Sequence, residues 1–112
     1  MTTTYKFTDR YGDTMDAYLV RGSYYDGSLA VDMIANGCGD WELWATLTVN
    51  LGTGDERHAF VDTNNCPWAT TFLESNGLAH PTGIEMPSGY CTYPLYEFTD
   101  KFFAECEEYG EE

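Results

Sequence analysis

The stretch Trp41-Glu42-Leu43-Trp44-Ala45-Thr46-Leu47-Thr48-Val49-Asn50-Leu51 is the longest run of clean alternation in the chain. Leu43, Ala45, Leu47, Val49 and Leu51 fall in one phase, and Trp44, Thr46, Thr48 and Asn50 in the other. Successive side chains of a pleated strand point to opposite faces, so this period of two predicts a strand with one buried face. The reading makes it the central strand of an antiparallel sheet, with Leu43 and Ala45 both facing the core.

Toward the N-terminus, Asn36 to Asp40 is a glycine-rich connector, and Leu29 to Ile34 alternates as a strand. Tyr25-Asp26-Gly27-Ser28 carries the Asp-Gly pair favoured in tight hairpins, ahead of which Thr14 to Ser23 forms another strand. Asp9 to Asp13 is a turn, and Thr3 to Thr8 is the first strand. Toward the C-terminus, Gly52 to Arg57 is a polar turn and His58 to Asp62 a short strand.

From residue 63 the grammar changes. Asn64-Asn65-Cys66-Pro67 supplies cap residues and a proline suited to a first helical turn, while Trp68 with Phe72 and Ala69 with Leu73 pair at helical spacing. Gly77 ends that helix. Residues 78 to 90 hold Pro81, Gly83, Pro87 and Gly89 and read as an irregular loop. Tyr90 to Phe98 has strand composition, but Pro94 demotes it to an edge or kinked strand. Thr99 caps a last helix that ends at Gly110, with Phe98, Phe102, Cys106 and Tyr109 as its apolar stripe. The expected fold class is α+β: an antiparallel sheet of five or six strands with one or two short helices packed on one face. The 112 residues make one domain, long enough to bury a core without staples.

Nineteen acidic residues against five basic ones give a net charge of −14. Every contact with phosphate would be repulsive, which argues against direct binding to nucleic acid or to an anionic membrane and favours basic partners. The first residues, MTTTYKFTDRYG, have neither the basic flank nor the apolar run of a secretory signal, and no stretch reaches the ~18 apolar residues of a membrane span. A cytoplasmic protein is expected. Cys38, Cys66, Cys91 and Cys106 are then reduced thiols, and without a C-x-x-C pair they do not suggest a zinc site. No metal or other cofactor is expected.

The sequence lacks a P-loop, a G-x-S-x-G elbow, an H-E-x-x-H pair and a dinucleotide glycine fingerprint. One enzyme candidate is a thiol and a base: Cys66 beside a helix start, with His58 or His80. A helix terminus there would lower the thiol pKa, whereas simple burial would leave it inert. The expectation is a protein that is not an enzyme.

Charge is concentrated late. Residues 58 to 112 hold ten acids and one base, against nine acids and four bases before them. Fourteen net charges spread over about 6,200 Å², the area expected at this mass, make one per roughly 440 Å². A nucleic-acid duplex carries about one per 105 Å². Imitation of nucleic acid therefore requires the excess on one face. Glu97, Asp100, Glu105, Glu107, Glu108, Glu111 and Glu112 are the candidates, joined by turns at Asp9, Asp13, Asp26 and Asp40, with Tyr24, Tyr25 and Tyr109 as aromatic anchors. The partner-binding set is taken as Glu97, Asp100, Glu105, Glu107, Glu108 and Tyr109. A frayed acidic tail over 107 to 112 is the competing reading.

The run Asn64-Asn65-Cys66-Pro67-Trp68-Ala69, then Phe72 to Leu78, Pro81-Thr82-Gly83, and Ser88-Gly89-Tyr90-Cys91-Thr92-Tyr93-Pro94, resembles the family numbered 4313 among the domains of unknown function. The resemblance covers most of the chain and is densest over 62 to 98. It implies small proteins of gut-bacterial plasmids, conjugative elements and phages, found near antirestriction genes. With the charge, it leads to an expectation: an inhibitor of a host defence nuclease, either a CRISPR effector or a restriction enzyme, that competes for a basic nucleic-acid-binding groove. The alternative is a protein-binding or homodimeric assembly module encoded on a mobile element.

Overall fold

The structure is a computed structural model that describes residues 3–9, 11–37, 39–52 and 55–108. The architecture is α+β, with two sheets and two short helices. β1 (Tyr5–Thr8), β2 (Thr14–Ser23), β3 (Leu29–Ala35) and β4 (Glu42–Thr46) form an antiparallel meander. β5 (Thr48–Val49), β6 (His58–Val61), β7 (Ala79–Ser88) and β8 (Cys91–Phe98) form a second sheet, in the order β5-β6-β8-β7. α1 (Ala69–Ser75) and α2 (Asp100–Glu105) lie before and after the β7–β8 hairpin in sequence. β9 (Glu107–Glu108) pairs in parallel with Val20 and Arg21 of β2, bringing the first sheet to five strands.

The alternations in β2 and β3 place Met15, Ala17 and Leu19, and Leu29, Val31 and Met33, in the core, as the sequence predicts. The expected central strand behaves differently. It breaks at Leu47 and passes from one sheet to the other. The Leu47 N–H donates to the Val31 carbonyl at 2.8 Å, and its own carbonyl accepts from the Asp62 N–H at 2.8 Å. One buried residue thus closes a ladder on each side. Thr48 completes the transfer: its Oγ1 accepts from the Val31 N–H at 3.2 Å and lies 2.9 Å from the Tyr24 hydroxyl, which donates to the Thr48 carbonyl.

A second irregularity re-phases the alternation. Met33 faces Ala45 and Ile34 faces Leu43, so Trp44 is an extra residue in β4. A bulge of this kind re-aims side chains. Ala45 packs on the core and the Trp44 ring meets Phe7 edge-on at 6.1 Å, while Leu43 turns outward and is 59% exposed. The expectation that Leu43 shares the buried face is corrected by this single insertion.

The predicted loop over 78–90 is also corrected, because most of it is β7. The strand pairs with β8 alone, so Pro81 and Pro87 can face away from the ladder without losing a bond. Gly83, at φ +90°, sits in the irregularity between Pro81 and Glu85. β8 is interior rather than an edge, since Leu95 to Glu97 pair with β6 as well as lying beside β7. Pro94 falls one residue past the last pair with β6, where no N–H is called for.

α1 ends as expected. Gly77 takes φ +70°, the Leu78 N–H reaches the Leu73 carbonyl at 2.9 Å and the Gly77 N–H the Glu74 carbonyl at 3.1 Å. Its start differs from expectation, since Asn64, Asn65 and Pro67 precede the helix as turns and Asp62 holds Asn65 instead. Thr99 caps α2 through the Phe102 N–H. That helix stops at Glu105 rather than Gly110, because Glu107 and Glu108 are taken up by β2 as β9. These two residues are therefore held in a strand and not frayed. The core between the sheets contains Phe7 against Trp68, with ring centroids 4.6 Å apart and planes tilted by 55°, and Phe98 against Phe102 at 4.8 Å and 60°.

Candidate partner-binding surface

The acidic residues singled out from the sequence are dispersed by the fold. Asp100 opens α2 and accepts from Arg57 at 2.9 Å, and Arg57 also donates to the Phe98 carbonyl at 3.1 Å. Glu105 accepts from Lys101 at 3.0 Å and from the Tyr5 hydroxyl at 2.5 Å. The Tyr5 hydrogen bond first, and Lys101 second, hold the Glu105 carboxyl below its usual range. Glu108 pairs with Arg21. Arg21 and Arg57 both approach the ring of Phe103, at 5.3 and 4.9 Å from its centroid. These late carboxylates therefore tether α2 and β9 to the sheets.

Glu97 lies elsewhere, in a cross-strand row with His58 and His80 on the face of the four-stranded sheet turned away from α1, 3.2 Å from His80 Nε2. Glu107 stands apart again, registered with Val20. Tyr109, Glu111 and Glu112 lie outside the described residues. Of the turn acids, Asp9 accepts from the Tyr11 and Asp13 N–H groups, and Asp26 accepts from the Ser28 hydroxyl and N–H, which lower its pKa. Asp13 and Asp40 are exposed. Tyr25 is fully exposed, whereas Tyr24 is engaged with Thr48 and is half-buried.

The pairing has an electrostatic consequence. Among the described residues every lysine and arginine has a carboxylate in contact: Lys6 with Asp16, Arg21 with Glu108, Arg57 with Asp100 and Lys101 with Glu105. Each of these four cations is thus offset by an intramolecular carboxylate.

The outer face of the five-stranded sheet is a surface that the sequence did not disclose. Cross-strand register sets Tyr18, Ile34 and Leu43 in one row, and Trp41 packs on Tyr18 with ring centroids 5.2 Å apart. The neighbouring row runs Glu107, Val20, Asp32 and Thr46, and the Thr46 hydroxyl donates to Asp32 at 2.7 Å. On the other side lie Lys6 and Asp16. Trp41 is 47% exposed. The result is an aromatic and aliphatic centre between carboxylates. The signal that would have found it is the Trp44 bulge, which simple alternation cannot register.

The thiol candidate is not assembled as an activated pair. Cys66 is buried in the core cluster and its Sγ donates to the Thr46 carbonyl at 3.7 Å. Burial, with the nearby Asp62 charge, pushes its pKa up to about 11 rather than down. His58 sits 3.0 Å from Asp55, and His80 beside Glu97, on the far face of the four-stranded sheet. Cys66, Cys91 and Cys106 are free thiols. Among the described residues no group of three or more His, Cys, Asp or Glu is placed to hold a metal ion, and no helix is long and apolar enough to cross a membrane.

Comparison with known proteins gives one family. The profile described as Domain of unknown function (DUF4313) matches residues 19–112. No curated protein and no solved structure matches the chain.

Proposed function

Since the chain belongs to the DUF4313 family, which carries no assigned activity, its chemistry has to be read from its surface, and we propose that it is a non-catalytic inhibitor of a basic, nucleic-acid-handling protein. The target class is a host defence nuclease, a CRISPR effector or a restriction enzyme, met in the cytoplasm of a cell carrying a mobile element. The observation that supports this most directly is the net charge of −14 combined with the internal pairing of every described lysine and arginine. A phosphate-binding groove is lined with the opposite charge. Long-range attraction would steer the encounter, and occupancy of the groove would exclude DNA or RNA.

An assembly module is the second reading, favoured by the exposed Trp41 and Leu43. Light scattering after size exclusion at low and high salt separates the two: a salt-insensitive dimer supports assembly, and a monomer supports the inhibitor. The direct test is a cleavage assay on a panel of guide-loaded CRISPR nucleases and restriction enzymes, with target DNA added before or after the protein. Competition requires inhibition that prior DNA loading relieves and that weakens above about 0.3 M salt, where the Debye length falls to a few ångströms. Inhibition indifferent to order and salt would refute competition for the groove.

A further inference from the structure

We propose that the outer face of the five-stranded sheet is the surface that engages the partner, with Tyr18, Ile34, Trp41 and Leu43 as its apolar centre and Asp32 and Glu107 as its charged flank, and that the occupant is a basic segment carrying apolar side chains. This inference rests on the basic-partner reading above and assigns that reading a place on the molecule.

Two observations converge on this face. Leu43, at 59% exposure, stands on an edge strand only because the Trp44 bulge turns it out of the core, so its exposure is built into the backbone. Trp41 is braced against Tyr18 at 5.2 Å, which holds a large ring in place on the surface. A ring already ordered loses little freedom on binding, the property expected of an interface anchor.

The flank selects the occupant. Register brings Glu107 and Asp32 to either side of Val20 in the row next to the apolar one, and Lys6, a base on this face, is paired with Asp16 at 2.7 Å. A second copy of the chain would bring like charges together across the contact. Basic side chains would meet carboxylates while apolar ones covered Leu43 and Trp41. Asp100 and Glu105 stand on α2, and Glu108 is registered with Arg21 rather than with Val20, so these neighbours of Glu107 in sequence lie off the rows of this face.

The test is an amide chemical-shift titration of the ¹⁵N-labelled protein with two probes. One is a nuclease from the panel that the protein inhibits, without guide or DNA; the other is a synthetic amphipathic peptide of lysines and leucines. Shifts confined to Tyr18, Asp32, Ile34, Trp41, Leu43 and Glu107, with Leu43→Asp weakening binding at least tenfold and Tyr90→Ala leaving it unchanged, are the expected result. Glu107→Gln should weaken binding a few-fold and flatten its salt dependence. Shifts elsewhere, no binding of either probe, or wild-type affinity in Leu43→Asp would overturn the assignment. So would a wild-type dimer that Leu43→Asp dissociates, which would make a second copy the occupant. If no nuclease is inhibited but the peptide maps to this face, the nuclease reading fails while the surface stands. The mapping on the unmutated chain remains decisive even where a variant is poorly folded.

Discussion

Glu105 closes two contacts at once, to Tyr5 and Lys101, and its lowered pKa makes part of the fold's stability depend on pH. The sign follows from linkage: a carboxyl held below its ordinary value of 4.5 stabilises the folded state above that pH and loses its contribution as pH falls through the folded value. Thermal melts of Glu105→Gln against wild type should therefore differ most near neutrality and converge only as the pH falls well below 4.5. A constant gap across that range would show that the pairing carries no charge dependence. Tyr5 has the opposite sense, since burial first and then Glu105 raise its pKa, so stability is lost as pH rises beyond 10.0. Cys66 gives a kinetic readout at the same scale. With a pKa of about 11, it is thiolate to only roughly one part in a thousand at pH 8, and it is buried. Its labelling by a disulfide reagent should be far slower than that of free cysteine and should become fast in urea. Rapid labelling of the native protein would restore Cys66 as a reactive group.

Among the elements, the transfer of the chain between sheets at Leu47 and Thr48 depends on a side chain taking over from the backbone ladder. Thr48→Val keeps the shape but removes the oxygen that satisfies the Val31 N–H and meets Tyr24. Leaving that buried donor unpaired should cost about 1–3 kcal/mol in urea unfolding, and a neutral result would mean that the ladder closes without it. Thr99→Ala removes the cap of α2 and should cost about 1 kcal/mol. The loss should be accompanied by weaker protection of β9, whose pairing follows directly after that helix.

At the scale of the whole molecule, on the proposal of a basic partner, folding and recognition depend on different carboxylates. Charge reversal at Glu108 breaks its pair with Arg21, whereas reversal at Glu107 changes the outer sheet face. Glu108→Lys should lower the melting temperature, and Glu107→Lys should weaken capture of a basic partner more than Glu108→Lys does. Equal effects of both variants on capture at equal stability would return the recognition surface to the C-terminal segment as a unit.

The period of two in residues 14–34, the Asp26-Gly27 turn, the Gly77 stop and the Thr99 cap were all legible, because each depends on the local chemistry of a few neighbouring residues. Composition likewise determined an acidic, aromatic-rich chain with a net charge of −14. What only the tertiary structure decided is where interrupted patterns go. A one-residue bulge at Trp44 leaves the alternation of the sequence intact while reversing the face of Leu43, and the break at Leu47 depends on Val31 and Asp62, which are distant in the chain. The prolines of β7 mark an edge strand rather than a loop because β8 offers a partner on one side only. The acids that looked like one cluster were parted for the same reason. Arginines at 21 and 57 reach them only after folding, and the field of a charge is set by its neighbours in space.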